Sequence, residues 1–315
     1  MRMYENFSGC RVLSYCVMSN HFHILLEVPP KPKEGITDEE LLKRLGFLYS
    51  DGALAEVRNV LDGVKNGSGT AEESARARAE IHERFTYRMN DLSEFMKGLL
   101  IRFTRWFNQN HSRKGTLWEE RFKSVIVESG TAARTMAAYI DLNPVRAGMV
   151  ENPEEYRWSS YGEAVGGGRK GNGKKARGGL VRAFCADEGV GFEPERWPEV
   201  SRRYRRLMGM ALDRKPQRAK VSQETRKSDG KEGKSGKSGE AVGLEDLGIA
   251  KMLRCRVRYF TDGAVIGSKD FVNAAFAASR ERFSKKRTSG ARKMRGVASA
   301  AKGELWSARD LRVGI

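Results

Sequence analysis

Residues 11–28 constrain the fold more than any other stretch, because they contain two apolar runs separated by a short polar turn. The runs "RVLSYCV" and "FHILLEV" are rich in aliphatic, aromatic and β-branched residues, and "MSNH" between them contains a turn-prone Ser-Asn pair. This pattern predicts a β-hairpin. Successive side chains of a strand point to opposite faces, so His21 and His23 are predicted to share one face while Phe22 lies on the other.

The segments that follow the hairpin are predicted to be mainly helical. Residues 37–88 are charged and helical in character. Residues 91–111, "DLSEFMKGLLIRFTRWFNQNH", carry apolar side chains at steps of three and four, which is typical of an amphipathic helix. A short strand is predicted at 124–129, and another helix is predicted to begin near Thr131. Strands combined with helices indicate the mixed α/β (α+β) class.

The net charge indicates a polyanionic partner. The 315-residue chain has 58 Lys and Arg against 40 Asp and Glu, a formal net charge of +18, so nucleic acid is the first partner to expect. Apolar runs all fall short of the roughly 18 residues that a membrane-spanning helix needs. The four cysteines are scattered, which favours reduced thiols in the cytoplasm over a disulfide framework or a zinc site.

The composition changes beyond the first half of the chain. Residues 166–183 are rich in glycine and basic side chains, which predicts a flexible basic linker, and 217–240 nearly lack apolar side chains, which predicts disorder. An arginine-rich short helix is predicted between them. Farther on, a hairpin is predicted around Asp262 and Gly263, followed by a helix. This region is interpreted either as a DNA-binding module or as a packing extension.

Two pairs of residues could carry chemistry. His21 and His23 are either ligands of one divalent ion or polar residues that share a strand. Tyr139 and Asn143 are four residues apart, so a helix would place both on one face. A tyrosine nucleophile, two imidazoles and an amide oxygen would suit Mg²⁺ or Mn²⁺ better than a closed zinc site. The alternatives are an ordinary helix aromatic for Tyr139 and, because Pro144 follows, a helix N-cap for Asn143.

Three blocks of sequence resemble one known family. "YCVMSNHFHILLEV", "GTLWEERFKSV" and "YIDLNPVRAGMVENPEEYRWSSY" occur in this order and closely resemble the REP-associated tyrosine transposases, which are single-tyrosine HUH enzymes related to insertion-sequence transposases. The resemblance covers about residues 10–165. It implies a ferredoxin-like antiparallel sheet with helices on one face. It also implies that His21, His23 and Asn143 bind the metal and that Tyr139 is the nucleophile.

The activity implied by the resemblance is metal-dependent cleavage and rejoining of DNA. Tyrosine transposases of this family cut hairpin-bearing single-stranded DNA through a 5′-phosphotyrosine intermediate, with Mg²⁺ or Mn²⁺ as the cofactor. The expected partner is therefore single-stranded DNA in the cytoplasm, at the nucleoid, and a homodimer is a further expectation. Two alternatives stay open: a catalytically decayed transposase that only binds DNA, and a structural basic protein that binds RNA.

The sequence departs from the family at its beginning. Family members carry a strand and a helix ahead of the hairpin, whereas about ten residues precede it here. The ferredoxin-like sheet is therefore expected to be N-terminally truncated, with an open edge beside the histidine strand and no neighbour for the last strand. The predicted domains are a catalytic domain at 1–165, a basic linker at 166–242 and a basic α/β extension at 243–315.

The DNA-binding prediction rests on basic residues next to aromatic ones. The loop that follows the amphipathic helix contains four basic side chains beside Trp118 and Phe122, and single-stranded DNA is bound by phosphate contacts combined with base stacking. The polar face of the helix contributes two more basic residues. The predicted DNA-binding residues are Arg102, Arg105, Arg113, Lys114, Arg121 and Lys123.

Overall fold

The computed structural model divides the chain into two compact units, residues 1–124 and 125–315. The division falls after Ser124, inside the predicted 1–165 domain, and so differs from the predicted one. The predicted disordered segment 217–240 lies outside the described residues. The structure describes residues 1–66, 70–167, 173–209, 258–261, 263–283, 285–294 and 304–309.

The first unit contains the predicted hairpin. Strands β1 (Arg11–Val17) and β2 (Phe22–Glu27) are antiparallel, and the Met18 amide donates to the His21 carbonyl oxygen (2.8 Å) across the turn. The pairing shifts register near Val12, which moves the following residues of β1 to the opposite face. The pairing of β1 with β2 confirms the predicted hairpin. The turn follows Met18, one residue after β1 ends.

Five helices complete the first unit. The predicted helical segment at 37–88 is confirmed as three helices, two of which start at a threonine whose side chain accepts from the first-turn backbone. The predicted amphipathic helix is confirmed as well and is capped by Asp91. The helices are α1 (Arg2–Ser8), α2 (Asp38–Leu45), α3 (Asp51–Asn66), α4 (Ala71–Thr86) and α5 (Leu92–Asn110).

Helix α5 covers one face of the hairpin. Its buried Phe95 and Met96 pack with Val12 of β1 and with Phe22 and Ile24 of β2. Because side chains alternate along β2, His23 belongs to the opposite face. The hairpin therefore packs an apolar face against α5, and the histidines take no part in that contact.

The N-terminal part of the second unit is mainly helical. They are α6 (Thr131–Asp141), α7 (Asn143–Arg146), α8 (Ser160–Gly166), α9 (Gly173–Cys185) and α10 (Trp197–Leu207). The predicted helix near Thr131 and the arginine-rich helix are confirmed as α6 and α10. Two later helices are α11 (Arg258–Thr261) and α12 (Lys269–Ala278).

The prediction of a flexible linker at 166–183 is wrong where α9 forms. The basic Lys174 and Lys175 are exposed, but the remaining face of the helix is buried. Its glycines permit close approach, since a Cβ at Gly173 would lie 2.9 Å from the Glu163 carbonyl oxygen. Burial of an apolar face therefore outweighs the low helix propensity of glycine. That face comprises Ala176, Leu180, Val181, Ala183, Phe184 and Cys185.

A small mixed sheet completes the second unit. Its strands are β3 (Ile126–Val127), β4 (Gly263–Gly267), β5 (Arg292–Lys293) and β6 (Trp306–Arg309), in the order β3-β4-β6-β5. The β3–β4 pair is parallel and the other two pairs are antiparallel. The expectation that the last strand of the transposase-like region lacks a neighbour is therefore wrong, because the buried β4 pairs with it.

Of the predicted hairpin around Asp262 and Gly263, the second strand is found as β4, and the described end of the first run is helical. Residues 258–261 form the short helix α11 instead of a strand, while the predicted run before 258 and the turn residue Asp262 lie outside the described residues. Strand β4 is buried along its whole length and pairs with β3 and β6, which are distant in sequence. Among the described residues, the partners of β4 are therefore strands distant in sequence and not the residues just before it.

The fold class is mixed, with many helices and little strand. A ferredoxin-like arrangement is not confirmed, since the described strands form one two-stranded and one four-stranded sheet. Among the described residues, no helix combines the length and apolar composition needed to cross a membrane.

Candidate functional site

The two histidines of the hairpin are neighbours. Their ring centroids are 5.1 Å apart with the planes nearly perpendicular (86°). His21 is exposed in the turn, and His23 is half-buried on β2 opposite Cys16. Nδ1 of His21 lies 2.7 Å from the Asn20 carboxamide oxygen, an acceptor, which leaves Nε2 as the ring nitrogen for a ligand role. The prediction that both imidazoles share one face is confirmed.

Tyr139 lies on α6 and is 1% exposed. The Phe260 ring stacks on its ring at 4.4 Å between centroids and 15° between planes. The Arg146 guanidinium carbon is 5.3 Å from the Tyr139 ring centroid. Neither contact was predicted from the sequence, because both depend on segments that approach only in the folded unit.

Asn143 is tied to the end of the tyrosine helix. Its Nδ2 donates to the carbonyl oxygens of Tyr139 (3.1 Å) and Ile140 (3.3 Å) in the last turn of α6. The alternative of an N-cap is wrong, since Leu142 holds that position and Asn143 is the first residue of α7. Because Nδ2 of Asn143 donates these hydrogen bonds, the carboxamide oxygen is the atom that would coordinate a metal.

The structure thus brings the predicted residues together as two pairs. His21 and His23 form one pair in the first unit, and Tyr139 and Asn143 form the other in the second unit. Each pair is held by local structure: the imidazoles are neighbours at the hairpin turn, and Asn143, the first residue of α7, hydrogen-bonds to the last turn of α6.

Buried polar contacts fix the position of α6. Asp141 is fully buried; its Oδ1 accepts from the Tyr161 amide (2.9 Å) and its Oδ2 from the Tyr204 hydroxyl (2.7 Å). Burial, together with the Asp141 carboxylate, raises the pKa of Tyr204 well above its ordinary value. Arg134 donates to both carboxylate oxygens of Asp187 at 2.5 and 2.7 Å. The sequence signal for Asp141 was an acid set between apolar neighbours in "YIDLN".

The predicted DNA-binding residues are all on the surface of the first unit. Some have protein partners: Arg102 donates to the Leu48 carbonyl oxygen (3.4 Å), and Lys123 lies 3.5 Å from Glu120. The Arg113 guanidinium lies 5.9 Å from the Phe107 ring centroid. The exposed set is Arg102, Arg105, Arg113, Lys114, Arg121 and Lys123.

The aromatic part of this surface differs from the prediction. Trp118 is half-buried, packs edge-on against Phe22, and donates its Nε1 hydrogen to Thr104 Oγ1 (3.0 Å). The exposed rings are instead Phe103 and Trp106, at 41% and 53% exposure on α5. Bases that stack on this unit would therefore meet α5 rather than the loop tryptophan.

The predicted metal ligands are two imidazoles and an amide. Within the described ranges, no cluster of three or more His, Cys, Asp or Glu side chains could hold a metal ion. Compared with models of protein families, with curated proteins and with solved structures, the chain has no match.

Proposed function

We propose that the chain is a transposase-type endonuclease and strand transferase that acts on hairpin-bearing single-stranded DNA. The observation that carries the proposal is that one chain contains both an adjacent imidazole pair and a tyrosine with an asparagine one helical turn later. The phenolic oxygen of Tyr139 forms a bond with phosphorus while the bond to the 3′ oxygen breaks. The phenol loses its proton to solvent, and the departing strand gains one to become a free 3′-OH.

His21, His23 and Asn143 would hold Mg²⁺ or Mn²⁺. Neutral imidazole nitrogens and an amide oxygen leave coordination positions for phosphate oxygens, which suits these ions better than a closed zinc site. When bound, the ion supplies Lewis-acid polarisation of the phosphodiester. The 5.1 Å between ring centroids and the Nδ1 contact of His21 with Asn20 support a shared ligand role for the imidazoles.

A ferredoxin-like arrangement around the hairpin belongs to the same proposal. In support of it, α5 packs on one face of β1 and β2, while His23 belongs to the other. This division of the two faces is the one that the family resemblance implies.

A second candidate function is DNA binding without catalysis, and one observation favours it. Tyr139 is 1% exposed and its ring stacks on Phe260, so its oxygen reaches a DNA strand only if the packing around it opens. The basic surface with the exposed Phe103 and Trp106 would serve binding in either case. The two functions differ in one product, a covalent protein–DNA adduct.

Replacing His21 or His23 by Ala should weaken Mn²⁺ binding by about tenfold or more, because even residues that only support a ligand typically contribute tenfold or more. His21→Ala is expected to leave the melting temperature unchanged, since the side chain is exposed. Calorimetric titration with Mn²⁺ measures the affinity, and His111→Ala, another exposed imidazole, is the matched control. Intact affinity with a sharply lower melting temperature in both variants would identify strand packing as the role of the pair.

Neutralising Arg113 and Lys114 together should flatten the salt dependence of single-stranded DNA binding. Each lost phosphate contact lowers the slope of log K against log salt by about 0.7. The expected change for the double Gln variant is therefore about 1.4. Fluorescence anisotropy with a labelled oligonucleotide across a salt series measures it.

The matched control replaces Arg76 and Arg84, two exposed residues of α4, by Gln. It changes the net charge equally, so its slope should stay at the wild-type value. Equal slopes for the two double variants would show that the loop makes no phosphate contact.

A further inference from the structure

Arg146 has an unusual environment for an arginine. Its Nε and Nη1 atoms are buried and have no hydrogen-bond partner within the part of the chain that the structure describes. The side chain is held against the Tyr139 ring, with 5.3 Å between the guanidinium carbon and the ring centroid. A charged group is thus partly withdrawn from water beside the proposed nucleophile.

Other arginines of the second unit are satisfied by the protein. Arg134 pairs with Asp187, Arg203 with Glu188, and Arg205 with the Tyr161 hydroxyl. Buried polar atoms in folded proteins are paired in the great majority of cases, because an unpaired buried donor costs free energy.

The missing partner should be an anion with acceptor oxygens. Guanidinium groups bind phosphate through short, charge-assisted hydrogen bonds. The position of Arg146 beside Tyr139 selects the phosphate that the phenol would attack rather than a phosphate elsewhere on the strand. Donors aimed at that group would stabilise the charge that develops on its oxygens as the new bond forms.

We infer that Arg146 binds a non-bridging oxygen of the phosphodiester attacked by Tyr139, with its unpaired Nε and Nη1 hydrogens as donors. The inference rests on the proposed function for the identity of the phosphodiester. The presence of a phosphate site at Arg146 does not depend on catalysis and can be measured separately.

Nuclear magnetic resonance of the full chain labelled with ¹⁵N at arginine Nε tests the site directly, with inorganic phosphate as the probe. The Arg146 signal is identified by its loss in Arg146→Lys. It should shift saturably as phosphate is added. The exposed Arg157, which stacks on Trp158, is the control and should show only the general effect of ionic strength. An Arg146 signal that follows Arg157 overturns the inference.

Two variants test the role in the reaction. Arg146→Gln should slow adduct formation by about 10²–10³-fold, the range found when one stabilising donor is removed from a reaction site. Arg146→Met removes the unpaired donors and keeps an apolar stem, so it should melt at or above the wild-type temperature. A lower melting temperature with an unchanged adduct rate would assign Arg146 to structure and overturn the inference.

The outcomes separate this inference from the proposed function. If wild-type protein forms the adduct and Arg146→Gln forms it equally fast, the inference fails and the proposed function stands. If wild-type protein forms no adduct, the proposed function fails, and the phosphate titration alone decides whether Arg146 is an anion site.

Discussion

Tyr139→Phe is expected to abolish the covalent protein–DNA adduct. Phenylalanine keeps the ring that stacks on Phe260, so the packing of α6 should persist, but it has no oxygen to bond to phosphorus. The assay incubates protein with labelled, hairpin-bearing single-stranded DNA and Mn²⁺, and resolves the products on a denaturing gel. Binding of the same DNA, measured by anisotropy, should stay within about twofold of wild type, since one buried hydroxyl should contribute little beside the proposed phosphate contacts.

Tyr161→Phe is the matched control for this change. Tyr161 is also a fully buried tyrosine of the second unit, but its hydroxyl accepts from Arg205 and is not the proposed nucleophile. Its variant should retain the adduct. An adduct that persists in Tyr139→Phe and disappears in Tyr161→Phe would identify Tyr161, on α8, as the nucleophile. That result would contradict the assignment of Tyr139 that the family resemblance implies.

Asp141→Ala is expected to lower the free energy of unfolding by about 2–6 kcal/mol, because two buried donors each lose a partner at roughly 1–3 kcal/mol apiece. The donors are the Tyr161 amide and the Tyr204 hydroxyl, and both accepting oxygens belong to a fully buried carboxylate. A loss of this size is a large fraction of the roughly 5–15 kcal/mol that stabilises a typical domain. Urea unfolding followed by circular dichroism measures it.

Asp141→Asn should cost less than Asp141→Ala. The amide keeps one acceptor oxygen for either the Tyr161 amide or the Tyr204 hydroxyl and so leaves a single donor unpaired. Equal stability of wild type and Asp141→Ala would contradict the account of how α6 is held.

Local patterns were enough to predict the elements that carry the candidate site. The alternation in 11–28 predicts the hairpin and the shared face of His21 and His23, and both are found. The three- and four-residue spacing in 91–111 predicts α5. The spacing of Tyr139 and Asn143 predicts one helix face, whereas α6 ends at Asp141 and Asn143 begins α7 with its Nδ2 bonded to the Tyr139 carbonyl oxygen. Each of these features depends on residues within one turn or one strand.

The features that could not be predicted depend on distant parts of the chain. Strand β3 pairs with β4, which lies more than a hundred residues later in the sequence, and no local pattern encodes that pairing. Helix α9 forms in a glycine-rich segment because a buried face compensates for its low propensity. The burial of Tyr139 by Phe260 and the unpaired donors of Arg146 likewise arise from tertiary packing.

Mass-spectrometric mapping of the adduct tests the central claim most directly. Wild-type protein is reacted with hairpin-bearing single-stranded DNA and Mn²⁺, treated with nuclease and digested to peptides. The account predicts a nucleotide attached through its 5′ phosphate to the peptide that contains Tyr139, with the fragment masses assigning the bond to the phenolic oxygen. Attachment at any other residue, or a protein that binds the DNA and Mn²⁺ but yields no modified peptide, would contradict it.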